Sequence, residues 1–221
     1  IPHEIIISTH NKEIKNLTKK NKVKVILNDN PNLLGPALEI AQNKIIITTT
    51  DKALLGNNSV NEIINAFKDP SVGCVAGRPV SLNPRNNLLG YWSHLLLDAG
   101  AHRIRKELSS KEQFLECSNY LFAFKNGFVK DIPEDVAEDH IIPYIFWKNN
   151  YKIKYIENAK ALIKNPVTLN KWLEQKTINA KKHENLLSHL NVKNDIKVKS
   201  FKNEIIKGTI SALSYPRTLN E

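Results

Sequence analysis

Lys44-Ile45-Ile46-Ile47-Thr48-Thr49-Thr50-Asp51 decides the fold class. β-Branched residues fill every position from Ile45 to Thr49, and the apolar ones do not alternate with polar ones. A strand with one wet face alternates; a strand covered on both faces does not. The run therefore predicts a strand buried on both faces, as in a parallel sheet. Working outward, residues 4–9 read as a short buried strand running into a polar loop, and Val23–Leu27 as the next strand. Residues 34–41 carry apolar side chains at helical spacing. Ser59-Val60-Asn61-Glu62 has the spacing of a capping box, with Ile63, Ile64 and Phe67 as the apolar face of its helix. Asp69-Pro70 ends that helix, and residues 72–77 form a fourth strand. Strand and helix alternate, so the four strands are expected in one mainly parallel sheet flanked by helices, an α/β fold. Ligands of such sheets bind beyond the carboxyl ends of the strands, where Thr9, Asp51 and Arg78 lie.

The remainder of the chain predicts a helix over residues 88–108, with a basic end at His102, Arg103, Arg105 and Lys106. A strand at 120–124, a helix at 136–147 and a strand at 151–156 follow. After Pro166 an amphipathic stretch runs over 169–190, and the basic tail has a helical pattern over 201–213. With 221 residues, 41% hydrophobic and 24% charged, the chain suits one globular domain rather than two. It shows no internal repeat and no linker. Cys74 and Cys117 are too few for a disulfide framework and form no CxxC pair, so buried free thiols are expected. No Met is present, and Ile1-Pro2-His3-Glu4 lacks the features of a signal peptide, which reads as a fragment. No apolar run is long enough to span a bilayer. The net charge of +10 favours anionic partners, but a lysine-rich solvated surface is the plainer account and ranks above any specific nucleic-acid role. Zinc-finger spacing and aromatic RNA-binding signatures are missing, so a basic nucleic-acid-binding domain ranks last and no specific nucleic acid is expected.

Three places can carry chemistry. Asp51 faces the ligand crevice, where its carboxylate would hold a divalent cation on a diphosphate or simply start a turn. Glu138-Asp139-His140 opens a helix, where acidic residues are also favoured by the helix dipole or as caps. Trp172, Gln175, Lys176 and Asn179 share one helix face by their spacing of three and four, with Lys182 beyond. An aromatic ring, an amide and cations suit a sugar and a diphosphate; an amphipathic helix with a Trp anchor is the plainer account.

Together the pieces resemble family-2 glycosyltransferases of the chitin- and cellulose-synthase-like kind. Residues 35–41 (Gly-Pro-Ala-Leu-Glu-Ile-Ala) look like the family's Gly-x-Ala-Leu-Asn segment, and residues 45–51 like the strand ending in Asp-x-Asp. Residues 67–77 look like the stretch that follows. Ser118-Asn119-Tyr120-Leu121-Phe122-Ala123-Phe124 resembles the acceptor-side segment, and Glu138-Asp139 the Glu-Asp motif. Asn150-Tyr151-Lys152-Ile153 is similar to Gly-Tyr-Lys-Ile, and Gln175 to the start of Gln-x-x-Arg-Trp. The order and spacing carry the resemblance: 139 − 51 = 88 and 175 − 139 = 36. Four places depart from the family. The strand that usually precedes Ile1 is missing, Ser8-Thr9-His10-Asn11 stand where a base-reading acidic residue is usual, Thr49 replaces the first Asp of Asp-x-Asp, and Ile178-Asn179 replace Arg-Trp.

The resemblance implies a GT-A type nucleotide-diphospho-sugar transferase fold, with a gap where the first strand belongs. It divides the single domain into a nucleotide-binding part (1–80), an acceptor-binding part (81–190) and a basic tail (191–221). The implied reaction moves a sugar from a nucleotide-diphosphate sugar to an acceptor hydroxyl with inversion. Asp139 would be the base; Asp51 would hold Mg²⁺ or Mn²⁺, close to Asp139 in space. Thr49, Gln175 and Lys176 would contact the donor diphosphate, and Glu138, Ser118, Asn119 and Trp172 the acceptor, a glycan or lipid-linked sugar. Resemblance and the basic tail (Lys197, Lys199, Lys202, Lys207) together place the enzyme at the cytoplasmic face of an anionic membrane. The departures motivate a second reading, a catalytically degenerate sugar- or nucleotide-binding module.

Overall fold

The computed structural model describes residues 4–14, 23–29, 33–129, 132–189 and Tyr215. The chain is α/β, with helices flanking a sheet. Its strands are β1 (Ile5–Thr9), β2 (Val23–Leu27), β3 (Ile45–Thr49), β4 (Ala53–Leu55), β5 (Val72–Ser81), β6 (Leu121–Lys125) and β7 (Lys152–Ile163). Its helices are α1 (Leu34–Ile40), α2 (Ser59–Ala66), α3 (Leu88–His94), α4 (Arg103–Ser110), α5 (Glu138–Lys148) and α6 (Leu169–His189). A π-helical segment, Leu95–His102, joins α3 to α4 in one continuous rod. The short β4 is the one strand among the described residues that the hydropathy pattern does not reveal. The tail pattern over 201–213 and its lysines lie outside the described residues.

The five-stranded sheet has the order β3-β6-β5-β7-β4. It is mixed: β5 and β7 are parallel, whereas β3–β6, β6–β5 and β7–β4 are antiparallel. This corrects the expected pairing. β3 and β5 do run in the same direction, but β6 lies between them. β1 and β2 form a separate parallel pair, so β1 and β3 share no ladder hydrogen bonds. An apolar run reports cover on both faces and is silent about the direction of the neighbouring strand. Glu4 ties the two sheets at one end: its carboxylate accepts from Gln42 N at 2.8 Å, Asn43 Nδ2 at 2.8 Å and Lys24 Nζ at 3.0 Å.

Alternation within the central strands divides the core into two layers. Cys74, Ala76, Phe122, Phe124, Ile153 and Tyr155 face Ile141, Ile142 and Phe146 of α5. Val75, Leu121, Ala123, Ala159 and Ala161 face Ile63 of α2. Burial of each large side chain stabilises the fold by about 1.5–3 kcal/mol. Gly73 sits where α5 presses on the sheet: a Cβ there would stand 2.4 Å from Phe146 Cδ1 and 2.7 Å from Tyr151 Cβ. The capping box predicted at Ser59 is not formed. Asn58 occupies the cap position, its amide donates to Glu62 Oε1 at 3.1 Å, and Ser59 Oγ donates to Lys160 O of β7 at 2.8 Å.

Candidate active site

Three parts of the chain converge on residues 118–121, the turn that enters β6. The first is the end of β3. Thr49 lies opposite Leu121, and its hydroxyl donates to the Tyr120 carbonyl at 2.9 Å. Thr50 then starts a tight turn, with Ala53 N donating to Thr50 O at 3.2 Å. Asp51 sits exposed in that turn, just past the sheet edge.

The second is the start of α5, and its geometry follows from one residue. Pro143 lies inside the helix and has no N–H, so the carbonyl four residues earlier, that of Asp139, loses its helical partner. Cys117 N donates to it instead, at 3.0 Å. Two residues on, Asn119 N donates to Asp139 Oδ2 at 2.9 Å. One residue thus anchors the loop by both its main chain and its side chain. The Asp139 residue is 9% exposed. A carboxylate withdrawn from water is costly unless it is hydrogen-bonded, and the Asn119 amide and the helix N-terminus offset that cost. The cap position itself is Ala137, without a side-chain cap bond, so the Asp139 carboxylate serves the loop and not the cap. His140 lies between two carboxylates, with Nδ1 at 3.8 Å from Glu116 Oε1 and Nε2 at 4.0 Å from Asp139 Oδ2. Glu138 is half-buried, Ser118 is buried, and Asn119 contributes its backbone N–H while its residue stays exposed.

The third is α6. Gln175 Nε2 donates to the Tyr120 hydroxyl at 3.3 Å. Lys176 Nζ stands 5.1 Å from the centroid of Trp172, a cation over an aromatic face. Trp172 also meets Trp92 of α3, with ring centroids 5.9 Å apart. Thr49, Asn119, Asp139 and Gln175 are therefore brought together through Asn119 and Tyr120, with the Asp51 turn beside them. Trp172 lies one helical turn before Gln175, toward Trp92, and Lys176, next to Gln175, reaches back over its ring. Lys182 is seven residues beyond Gln175, roughly 10 Å further along the helix axis.

Tyr120 and Trp92 are the organising side chains that sequence reasoning missed. Pro143, four residues after Asp139, was a readable signal for the freed carbonyl; nothing local marks Trp92. Burial pushes the thiol of Cys117, 3.5 Å from Cys74 Sγ, well above its ordinary range, in keeping with two inert free cysteines. Among the described residues no group of three His, Cys, Asp or Glu side chains is gathered to hold a metal ion. The Thr49 hydroxyl is already engaged, which leaves Asp51 as a single carboxylate. That donor set fits a hard cation whose other ligands are substrate phosphates and water, not a protein cage.

No family model matches the sequence, and no curated protein is detectably similar to it. Solved structures do match in fold. A mannosyltransferase from Pyrobaculum calidifontis, in complex with GDP-Man and Mn²⁺, superposes with a TM-score of 0.59 at 14% identity. That match covers 96% of this chain and 61% of the mannosyltransferase, so the chain spans less than two thirds of that protein. Glucosyl-3-phosphoglycerate synthase from Mycobacterium tuberculosis, in complex with Mn²⁺ and UDP-glucose, gives a TM-score of 0.56 at 11% identity, over 87% of this chain and 69% of the synthase. The sheet, its flanking helices and these matches establish one conclusion: the chain has the GT-A fold of the nucleotide-sugar glycosyltransferases.

Proposed function

We propose that the chain is the catalytic part of an inverting, family-2 hexosyltransferase of the chitin- and cellulose-synthase-like subgroup, acting in polysaccharide or glycoconjugate synthesis. The observation that carries this reading is the convergence of the Asp51 turn, Asp139 and Gln175 on residues 118–121. In the reaction the acceptor oxygen bonds to the anomeric carbon of the donor sugar from the face opposite the diphosphate. The bond from that carbon to the diphosphate oxygen breaks, and the nucleoside diphosphate leaves with the electron pair. Asp139 takes the acceptor proton, a role that contributes about 10²–10⁴-fold in rate. Asp51 would hold Mg²⁺ or Mn²⁺, which would supply positive charge to neutralise the leaving diphosphate. Thr49, Gln175 and Lys176 line the donor side. Glu138, Ser118, Asn119 and Trp172 line the acceptor side, with Trp92 extending the aromatic surface for a sugar ring.

We place the enzyme at the cytoplasmic face of a membrane, working on a lipid-linked or growing glycan. Leu88, Trp92 and Leu96 are exposed along α3 and the π segment, and Leu169 and Leu173 along α6, joined by the Trp92–Trp172 contact. Lys171 stands on the same α6 segment, and the chain carries a net charge of +10. Leu and Trp beside Lys suit peripheral docking on anionic lipid. Among the described residues no helix is long and apolar enough to cross a membrane.

Thr49 favours the degenerate-module reading, since its hydroxyl bonds Tyr120 O where a carboxylate would face a metal. Calorimetric titration with UDP-glucose and GDP-mannose, with and without Mn²⁺, separates the readings when paired with an assay for nucleoside-diphosphate release. An enzyme shows Mn²⁺-dependent binding, lost in Asp51→Asn, together with release. Binding without release supports the module. Failure to bind either donor sinks both.

A further inference from the structure

We propose that Arg105 is a positioning residue for Asp139, acting through the backbone of residues 116–118. Its guanidinium forks two successive carbonyls: Nε donates to Glu116 O at 2.8 Å and Nη2 to Cys117 O at 2.7 Å. The Glu116 carbonyl and the Cys117 N–H belong to one peptide plane and point in opposite directions across it. Arg105 holds the oxygen of that plane, and the Asp139 carbonyl holds its N–H at 3.0 Å. The plane is gripped between the two residues. Two residues further, the Asn119 N–H reaches the Asp139 carboxylate. Displacing the plane moves the Asn119 amide that bonds the carboxylate.

The fork demands arginine. Its planar guanidinium presents donors at a fixed spacing that matches two adjacent carbonyls, whereas a lysine ammonium satisfies one at a time. Donation from a cation also polarises the peptide plane and strengthens its N–H as a donor to Asp139. The preceding π segment, Leu95–His102, sets the direction of approach. Its i→i+5 turns advance by a smaller angle per residue than α turns, so α4 presents a different side to the loop than an unbroken α-helix would. Arg105 is half-buried against Cys117, which is buried.

Amide NMR on the ¹⁵N-labelled chain tests this without relying on turnover. In Asp139→Asn, the Asn119 amide proton should move upfield as its charged acceptor is lost. Arg105→Met keeps the stem and removes the fork. It should move the same resonance in the same direction and speed hydrogen exchange at Cys117 and Asn119 about tenfold or more, while Val75 in β5 stays protected. Arg105→Lys should fall between the two. If Arg105→Met fails to fold, Arg105→Lys alone decides. An Asn119 amide that keeps its wild-type position and exchange rate in the folded variant overturns the proposal. A turnover arm rests on Asp139 being the base: Arg105→Lys should lower kcat for donor turnover and leave the donor KM unchanged. If Asp139→Asn spares turnover while the amide responses appear, the positioning role stands and the base assignment fails.

Discussion

Replacing Asp139 by Asn and by Ala separates its charge from its hydrogen bonds. The Asn side chain keeps an oxygen that can accept from Asn119 N–H, and the main-chain bond from Cys117 is untouched in both variants. What Asn loses is the charge assistance. A hydrogen bond to a charged group contributes about 1.5–3 kcal/mol and a neutral one about 0.5–1.5. The difference is about 1 kcal/mol, partly offset because a neutral amide is cheaper to bury than a carboxylate. At roughly 2–4 °C per kcal/mol for a domain of this size, Asp139→Asn should lower Tm by under about 4 °C. Ala instead leaves the Asn119 donor without its acceptor, about 1–3 kcal/mol, so its Tm should fall by roughly 2–12 °C. Turnover should behave differently, with both variants losing about 10²–10⁴, equivalent to about 3–5.5 kcal/mol in the barrier. Differential scanning fluorimetry and nucleoside-diphosphate release on the same samples read the two effects. If Asn melts as low as Ala, the carboxylate–amide bond is not what orders the loop. If Asn turns over at the wild-type rate, Asp139 is not the base.

Gly90 in α3 packs against the backbone of residue 84, where a Cβ would overlap Pro84 O. That oxygen cannot swing aside, so Gly90→Ala should cost about 1–3 kcal/mol or more, measured as a shift in the urea midpoint. The Gln42 amide, the Asn43 amide and Lys24 together hold the Glu4 carboxyl down at about 2, against an ordinary 4.5. A depressed carboxyl adds stability above its unfolded value and loses it as pH falls through the folded value. The tether between β1 and the start of β3 should therefore loosen from pH 4.5 to 2, read as a falling protection factor at the Gln42 amide, its exchange rate being taken relative to the intrinsic rate at each pH. Glu4→Gln should abolish that pH dependence, and a Gln42 amide that ignores pH in the wild type contradicts it. On vesicles of phosphatidylserine and phosphatidylcholine, Trp92→Ala with Leu96→Ser should reduce co-sedimentation several-fold. Equal binding by the variant, or binding indifferent to anionic lipid, removes the membrane reading of that face.

The strand and helix cores were legible because their causes are local. Three consecutive isoleucines at Ile45, Ile46 and Ile47 read as a covered strand, and the face formed by residues 172, 175 and 176 reads as a helix. The sheet order was not legible, since nothing near Ile45 announces that its neighbour is Phe124, 79 residues away (124 − 45). Ser59 shows the same limit at one hydroxyl: its spacing from Glu62 suggests a cap, but its partner is a carbonyl of β7 that folding alone brings near. In the candidate site, Asp51, Asp139 and Gln175 are candidates by type and spacing, and the fold brings Asp139 and Gln175 to residues 119 and 120. Tyr120, which bonds Thr49 and Gln175, and Arg105, which bonds the backbone of residues 116 and 117, are not marked as site residues by the sequence. Their contacts are to backbone and side-chain groups of other elements, and such contacts leave no periodic trace.

The insertion of β6 between β3 and β5 also sets a timetable for synthesis. Among the described residues neither β3 nor β5 has a ladder partner in the first 120 positions; their neighbours are β6 and β7. A ribosome adding about 5–20 residues per second needs several seconds to go from Thr49 to Lys125. Throughout that interval an isoleucine-rich strand waits with both edges open. Closing contacts over such separations is slow, because the entropy of the long intervening loop is lost before the ladder forms. Nascent chains stalled near residue 115 should thus be protease-sensitive throughout β3 and β5, and those released beyond Ile163 should not.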